Sequence, residues 1–128
     1  MSEQAAVERE VVGRPTGYAG GQNEQRWKKA VRDAFAGATL PGPSRVQLEV
    51  DFVLTTQQRG RLEPDLDNLI KSTLDALDGV LGRRPATGAR VEADDVRVDR
   101  LIATKRHGGE GEATGARIRM SELPEVPA

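Results

Sequence analysis

The sequence predicts a small α+β domain, because it combines strand-like and helix-like patterns in one short chain. The chain has 128 residues, which favours a single domain over 1–128 with one hydrophobic core. Apolar residues at every second position over 46–54 predict a strand with one buried face. Apolar residues at three- and four-residue spacing over 66–81 predict an amphipathic helix.

The first half of the chain predicts a strand, a loop and a helix. Mixed apolar and charged residues favour a strand over 7–12, and closely spaced glycines and a proline favour a flexible loop over 13–22. A helix is expected from Asn23, because the apolar residues after it recur at helical spacing. Trp27 shares this apolar stripe, so core packing is its predicted role.

The second half of the chain predicts one more helix between strands. Pro64 and Asp65 are typical of a helix start, so the stripe over 66–81 predicts one helix of about four turns. The segment 82–93 contains glycines, a proline and three arginines, and is predicted to be a flexible loop. Two further strands and a frayed tail are expected over about 95–104, 116–120 and 121–128.

The composition excludes several kinds of site. The absence of cysteine excludes disulfides and thiolate sites, and a single histidine, His107, excludes sites that need two imidazoles. The formal net charge of −1 disfavours DNA binding through bulk positive charge. No apolar run reaches the roughly 18 residues of a membrane span, and the first residues lack a signal pattern. We therefore expect a soluble cytoplasmic protein with no membrane partner.

Two aspartates, Asp65 and Asp67, lie two residues apart at the predicted helix start. Both carboxylates can point into the same space, where free amide groups and the helix dipole favour negative charge. Neighbouring carboxylates repel each other unless a cation lies between them, and Mg²⁺ prefers carboxylate, water and phosphate oxygens. Lys71 follows Asp67 by about one helical turn, so its ammonium can reach the same region.

A second acidic pair, Asp94 and Asp95, precedes a predicted strand. If this strand lies beside the helix, Asp95 completes a site with three carboxylates. Three carboxylates and a lysine, without histidine or cysteine, favour a hard divalent cation over zinc. The matching chemistry is hydrolysis of a phosphate ester, in which a metal activates water and a lysine stabilises negative charge.

Each of these residues also has an ordinary structural interpretation. Asp65 or Asp67 can serve only as a helix cap, and the Asp94-Asp95 pair is typical of a turn. Lys71 and Asp75 are spaced four residues apart, which is typical of a solvated ion pair on a helix. The spacing alone leaves both interpretations open.

Three segments together resemble the RusA family of Holliday junction resolvases: Pro64-Asp65-Leu66-Asp67-Asn68-Leu69-Ile70-Lys71, Asp75-Ala76-Leu77-Asp78-Gly79-Val80 and Asp94-Asp95-Val96-Arg97-Val98. The resemblance covers about residues 45–120. It implies a homodimer in which a mixed β-sheet packs against two helices. It also implies an endodeoxyribonuclease, associated with the nucleoid, that uses Mg²⁺ or Mn²⁺ to cut four-way DNA junctions in recombination and repair.

The resemblance also implies roles for individual residues. The metal-binding aspartates of the family correspond to Asp65, Asp67 and Asp95, and its catalytic lysine corresponds to Lys71. Supporting roles around the metal are implied for Asn68, Asp75 and Asp94, and Asp94 is also the alternative to Asp95 as the third metal ligand. A two-fold dimer can gather on one DNA-binding face the side chains of Arg59, Arg61, Arg83, Arg84, Arg90, Arg106 and His107.

Two other functions are compatible with the same residues. A junction-binding protein without turnover would bind four-way DNA and never nick it. An intracellular interaction domain, in which the acidic helix start is only a cap, would bind no Mg²⁺ and show no preference for branched DNA.

Overall fold

The computed structural model describes residues 5–85, 88 and 91–124. The helices are α1 (Gly21–Ala34), α2 (Leu66–Asp75) and α3 (Asp78–Leu81). The strands are β1 (Ala6–Val12), β2 (Val46–Leu54), β3 (Arg83–Pro85), β4 (Val91–Ala93), β5 (Val98–His107) and β6 (Gly115–Glu122). Short 3₁₀ helices occur at Gly60–Leu62 and Asp95–Arg97. These elements confirm the predicted α+β class. None of the described helices is long and apolar enough to cross a membrane.

Four strands form one mixed sheet in the order β1-β6-β2-β5. Strand β6 is antiparallel to both β1 and β2, whereas β2 and β5 are parallel. The two parallel strands therefore begin at the same end of the sheet. We call this end the Val98 end, because Val46 pairs with Val98 there. We call the opposite end the His107 end, because Leu54 pairs with His107 there.

The hydrophobic core lies between one face of this sheet and the helices. The side chains of β2 that point to this face are fully buried, namely Val46, Leu48, Val50, Phe52 and Leu54. Trp27 of α1 is 1% exposed, and its ring centroid lies 6.4 Å from that of Phe52. Its indole N–H donates to Thr73 Oγ1 of α2 at 3.0 Å. The predicted core role of Trp27 is thus confirmed.

Helices α2 and α3 lead along the sheet from the His107 end to the Val98 end. Before α2, Lys105 Nζ of β5 donates to Glu63 Oε2 at 2.8 Å and to the Pro64 carbonyl at 2.9 Å. After α3, the carbonyl of Leu81 accepts a hydrogen bond from Arg97, the residue before β5, at 2.9 Å. The start of α2 and the end of α3 are therefore fixed to opposite ends of the same strand.

The single helix predicted over 66–81 is in fact two helices. The N–H groups of Ala76 and Leu77 donate to carbonyls three residues back, which tightens the chain into a turn after Asp75. The second helix then begins at Asp78. Periodicity alone did not indicate this break, because the apolar stripe continues into the core on both sides of the turn.

The flexible loop predicted over 82–93 contains the antiparallel pair β3–β4. Arg84 lies opposite Glu92 in this pair, and their side chains form an ion pair at 2.8 Å. Each strand has only three residues, too few to establish an alternating pattern in the sequence, so the prediction was wrong here. Arg90 lies outside the described residues.

Two other predicted boundaries also differ. The irregular segment predicted over 13–22 ends earlier, because α1 begins at Gly21. The tail predicted to fray from residue 121 begins later, because Ser121 and Glu122 still pair within the sheet as part of β6. Residues 125–128 lie outside the described residues.

Candidate active site

Asp65 and Asp67 lie at the start of α2, and both are exposed to solvent. Asp65 occupies the N-cap position, yet its side chain makes no capping hydrogen bond. Asp67 Oδ1 accepts a hydrogen bond from the N–H of Asn68 at 3.0 Å. The capping interpretation is therefore wrong for Asp65, and the carboxylates at this helix start keep oxygens that can bind a ligand.

Lys71 is also exposed, about one turn further along α2. Its Nζ lies 3.7 Å from the ring centroid of Tyr18, a residue of the irregular segment before α1. Asp75, the expected ion-pair partner of Lys71, instead lies 3.6 Å from Lys28 Nζ of α1. The ordinary ion-pair interpretation of Lys71 is therefore wrong, and no pattern in the sequence indicated its aromatic neighbour.

A cleft of about 270 Å³ opens beside the start of α2. Its lining includes Arg14, Tyr18, Arg61, Glu63 and Asn68. The hydrogen bond from Lys105 lowers the pKa of Glu63, so this carboxylate remains charged at neutral pH. The cleft therefore carries both signs of charge next to Asp65.

Asp94 and Asp95 lie at the other end of the sheet, in the turn before β5. The N–H of Asp94 donates to the Gly82 carbonyl at 2.8 Å. The guanidinium of Arg84 lies 3.4 Å from Asp95 Oδ1. The β3–β4 pair thus places the positive charge of Arg84 beside Asp95, the carboxylate that was predicted to bind metal.

Arg97 anchors this turn, a role that the sequence did not reveal. Its side chain is buried, and it donates to the carbonyls of Pro41 at 2.8 Å, Leu81 at 2.9 Å and Ser44 at 2.9 Å. It also donates to Ser44 Oγ at 3.0 Å. No described carboxylate pairs with Arg97, so neutral oxygens alone compensate the buried charge. The position of Asp95 depends on these hydrogen bonds.

The two acidic pairs do not form one group within the described chain. Lys105 holds the residues before α2, whereas Asp95 precedes Val98 at the opposite end of β5. The strand from Val98 to Lys105 spans about 23 Å at the usual rise of an extended chain. Consistent with this separation, the described residues contain no group of three His, Cys, Asp or Glu side chains that is able to hold a metal ion. The structure therefore places Asp65 and Asp67 at the start of α2 and does not bring Asp95 to them within one chain.

The arginines predicted to contact DNA divide between the two ends of the sheet. Arg59 and Arg61 lie beside the start of α2, and Arg106 lies near the end of β5. Arg83 and Arg84 lie near Asp95, on β3. Three of these arginines are held by carboxylates, in the pairs Arg83–Asp78, Arg84–Glu92 and Arg106–Glu112.

The pair at the end of β5 involves a strongly acidic carboxylate. Hydrogen bonds from Arg106 and from the N–H of Gly109 lower the pKa of Glu112 to about 2. Arg106 therefore has a charged partner at every pH at which the protein is expected to work. Arg59 and Arg61, by contrast, make no ion pair with a described carboxylate, and they are the better candidates for contacts with phosphate.

Comparison with known proteins identifies one family. The family model described as Endodeoxyribonuclease RusA matches residues 7–120. The matched region includes α2 with its aspartates, Lys71, and the turn that carries Asp95. A search of the curated proteins finds no match to the chain.

Proposed function

Because the chain belongs to the RusA endodeoxyribonuclease family, we propose that it is a Mg²⁺-dependent nuclease that resolves Holliday junctions or other branched DNA in recombination and repair. The observation that carries this proposal is the position of Asp65, Asp67 and Lys71 on the exposed first turns of α2, where Asp65 does not act as a cap. Such a substrate would place the protein in the cytoplasm, at the nucleoid.

The proposed metal ligands are Asp65, Asp67 and Asp95. Carboxylate oxygens that are not used for capping suit Mg²⁺, or Mn²⁺ in its place. A divalent ion bound there supplies Lewis-acid chemistry, which polarises the scissile phosphate and activates water. The N–H of Asn68 orients the Asp67 carboxylate, and Lys71 provides positive charge for the negative charge that develops on the phosphate.

We propose that a homodimer completes the site. Within one chain, Lys105 near one end of β5 holds the residues before Asp65, whereas Asp95 precedes the other end of β5. Among the described residues, no group of three carboxylates is placed to share a cation. In a two-fold dimer, the Val98 end of one chain can lie against the His107 end of its partner. Asp95 of each chain would then reach the α2 start of the other. Two sites related by the two-fold axis also suit symmetrical cutting of a four-way junction.

The surface around Asp95 supports this dimer. Strand β5 lies at the edge of the sheet, so one side of its backbone lacks a strand partner among the described residues. Exposed apolar side chains occur in this region, namely Val91, Val96, Leu101 and Ile102. An exposed apolar edge is typical of a surface that pairs with another chain.

A nicking assay on synthetic DNA tests the proposed function. We expect the wild-type protein to cut a four-way junction in Mg²⁺ but not in EDTA, and to prefer it to linear duplex. Lys71→Ala is expected to bind the junction and to cut at least about 10²-fold more slowly, because it removes a charge that stabilises the transition state. Lys29→Ala is the matched control, since Lys29 is an exposed residue of α1 that pairs with Asp33.

The same assay distinguishes the other two functions. A wild-type protein that shifts four-way DNA on a gel and never nicks it would be a junction-binding protein. One that neither binds Mg²⁺ nor prefers branched DNA would be an interaction domain. Either result would overturn the proposed nuclease.

Arg84→Gln is expected to tighten Mn²⁺ binding by up to about fivefold. Arg84 lies 3.4 Å from Asp95 Oδ1, so a metal ion must compete with its guanidinium for this carboxylate. A partly exposed ion pair of this kind contributes up to about 1 kcal/mol. Isothermal titration calorimetry with Mn²⁺ measures the change. The control is Arg83→Gln, because Arg83 pairs with Asp78 rather than with Asp95. Weaker Mn²⁺ binding by Arg84→Gln would show that Arg84 supports the site.

A further inference from the structure

We propose that Tyr18 is a positioning residue for Lys71, an inference that rests on the proposed nuclease function. Lys71 Nζ lies 3.7 Å from the centroid of the Tyr18 ring, which is a close cation–π contact. Asp67 and Asp75 each lie four residues from Lys71 on α2, yet no described carboxylate forms an ion pair with it. The aromatic ring is therefore the contact that determines where the ammonium lies.

The backbone of the segment before α1 is fixed onto α2. The N–H of Tyr18 donates to the Asn68 carbonyl at 3.1 Å, and Ser72 Oγ donates to the Thr16 carbonyl at 2.6 Å. Between these two contacts, a Cβ atom on Gly17 would lie only 3.0 Å from Asn68 Cβ, so a glycine suits this close approach. The backbone thus places the ring over Lys71, although the ring itself is 53% exposed.

Two buried side chains from parts of the chain other than α2 also hold the segment before α1. Glu24 of α1 accepts a hydrogen bond from the N–H of Ala19 at 3.1 Å. Gln58 donates to the Pro15 carbonyl at 2.7 Å and is only 2% exposed. The composition of this segment predicted a flexible loop, but these contacts tie it to three parts of the fold. A ring carried by such a segment is a fixed feature of the site.

The ring affects Lys71 differently from a carboxylate. An aromatic face attracts the ammonium through its quadrupole and leaves the positive charge unneutralised. It also limits the conformations of a long, flexible side chain before DNA binds. The Lys71 ammonium is therefore oriented without a described carboxylate partner, and its hydrogen-bond donors are available for a phosphate oxygen. This is the state that stabilisation of the transition state requires.

Tyr18→Leu tests this role, because leucine is also apolar but has no aromatic face. We expect kcat on a four-way junction to fall about 3- to 30-fold, the range that corresponds to a cation–π contact, while KM changes less than twofold. Tyr18→Phe keeps the ring and is expected to recover most of the lost rate. Because Tyr18 is half-exposed, both variants are expected to fold. A higher KM with unchanged kcat would show that Tyr18 contacts DNA, and would overturn the positioning role.

A spectroscopic measurement tests the contact without DNA cleavage. The ring current of Tyr18 is expected to shift the Lys71 CεH₂ resonances upfield in the wild type and in Tyr18→Phe, and the shift should vanish in Tyr18→Leu. If the wild type cuts junctions and Tyr18→Leu cuts them equally fast, only the positioning role is overturned. If the wild type shows the ring-current shift but cuts no DNA, the proposed function fails, and the role of Tyr18 fails with it.

Discussion

Asp67→Asn is expected to abolish junction cleavage and to leave junction binding intact or tighter. The amide oxygen of asparagine can still accept the hydrogen bond from the N–H of Asn68, so the local backbone is preserved. The substitution removes one negative charge from the proposed metal ligands. Metal catalysis supplies several kcal/mol of charge stabilisation, so we expect the rate to fall by at least about 10³-fold. Binding is maintained because fewer negative charges face the DNA phosphates.

Single-turnover cleavage and gel shifts on the same four-way junction measure the two effects separately. The matched control is Asp33→Asn, because Asp33 is an exposed aspartate of α1 that pairs with Lys29 at 2.7 Å. This control is expected to cut and bind like the wild type. An Asp67→Asn protein that cuts at the wild-type rate in Mg²⁺ would exclude Asp67 from the catalytic site.

Arg97→Met is expected to lower the free energy of unfolding by about 1–3 kcal/mol, the largest stability effect that we predict. Arg97 is 5% exposed, and it donates to the carbonyls of Pro41, Ser44 and Leu81. Methionine is similarly long but offers no donor, so the buried Leu81 carbonyl and the partly buried contacts to Pro41 and Ser44 would lose their partner. Each unsatisfied buried group typically costs about 1–3 kcal/mol.

Urea denaturation at neutral pH measures this loss. Arg100→Met is the control, because Arg100 lies on the same strand, β5, but is exposed, so a change within about 0.5 kcal/mol is expected. Arg97→Lys is expected to recover only part of the stability, since one ammonium does not match a planar fork of donors. A loss below about 1 kcal/mol in Arg97→Met would show that these carbonyls do not depend on the guanidinium.

The sequence predicted the elements whose burial follows a regular period. The alternation over 46–54 corresponds to β2, because every second side chain faces the core. The stripe over 66–81 predicted the helical region for the same reason. The turn after Asp75 was not predicted because the apolar stripe continues through it. Only the backbone hydrogen bonds change there, since the N–H groups of Ala76 and Leu77 donate to carbonyls three residues back. The β3–β4 pair was missed because each strand has only three residues, too few to show a periodic pattern.

The candidate site was predictable only where its residues are close in sequence. Asp67 and Lys71 belong to one helix and Asp65 is its N-cap residue, so their spacing along the chain determines their spacing in the fold. The contact of Lys71 with Tyr18 depends on how a distant segment packs against α2, which no local pattern reports. The distance from Asp65 to Asp95 depends on which end of the sheet each segment reaches. The direction and pairing of the strands decide which end each segment reaches, and the sequence pattern predicted neither.

The most direct test of a metal site shared between two subunits is complementation between inactive variants. Asp67→Asn and Asp95→Asn are each expected to be inactive as homodimers. If each site combines α2 of one chain with Asp95 of its partner, a mixed dimer of these variants contains one intact site.

We therefore predict that refolding the two variants together restores nicking of one strand of a four-way junction. A mixture of Asp67→Asn and Lys71→Ala is the control, because both sites of that mixed dimer keep a defect, and it is expected to stay inactive. If the Asp67→Asn and Asp95→Asn mixture forms mixed dimers that cut no better than either variant alone, the site is not shared in this way.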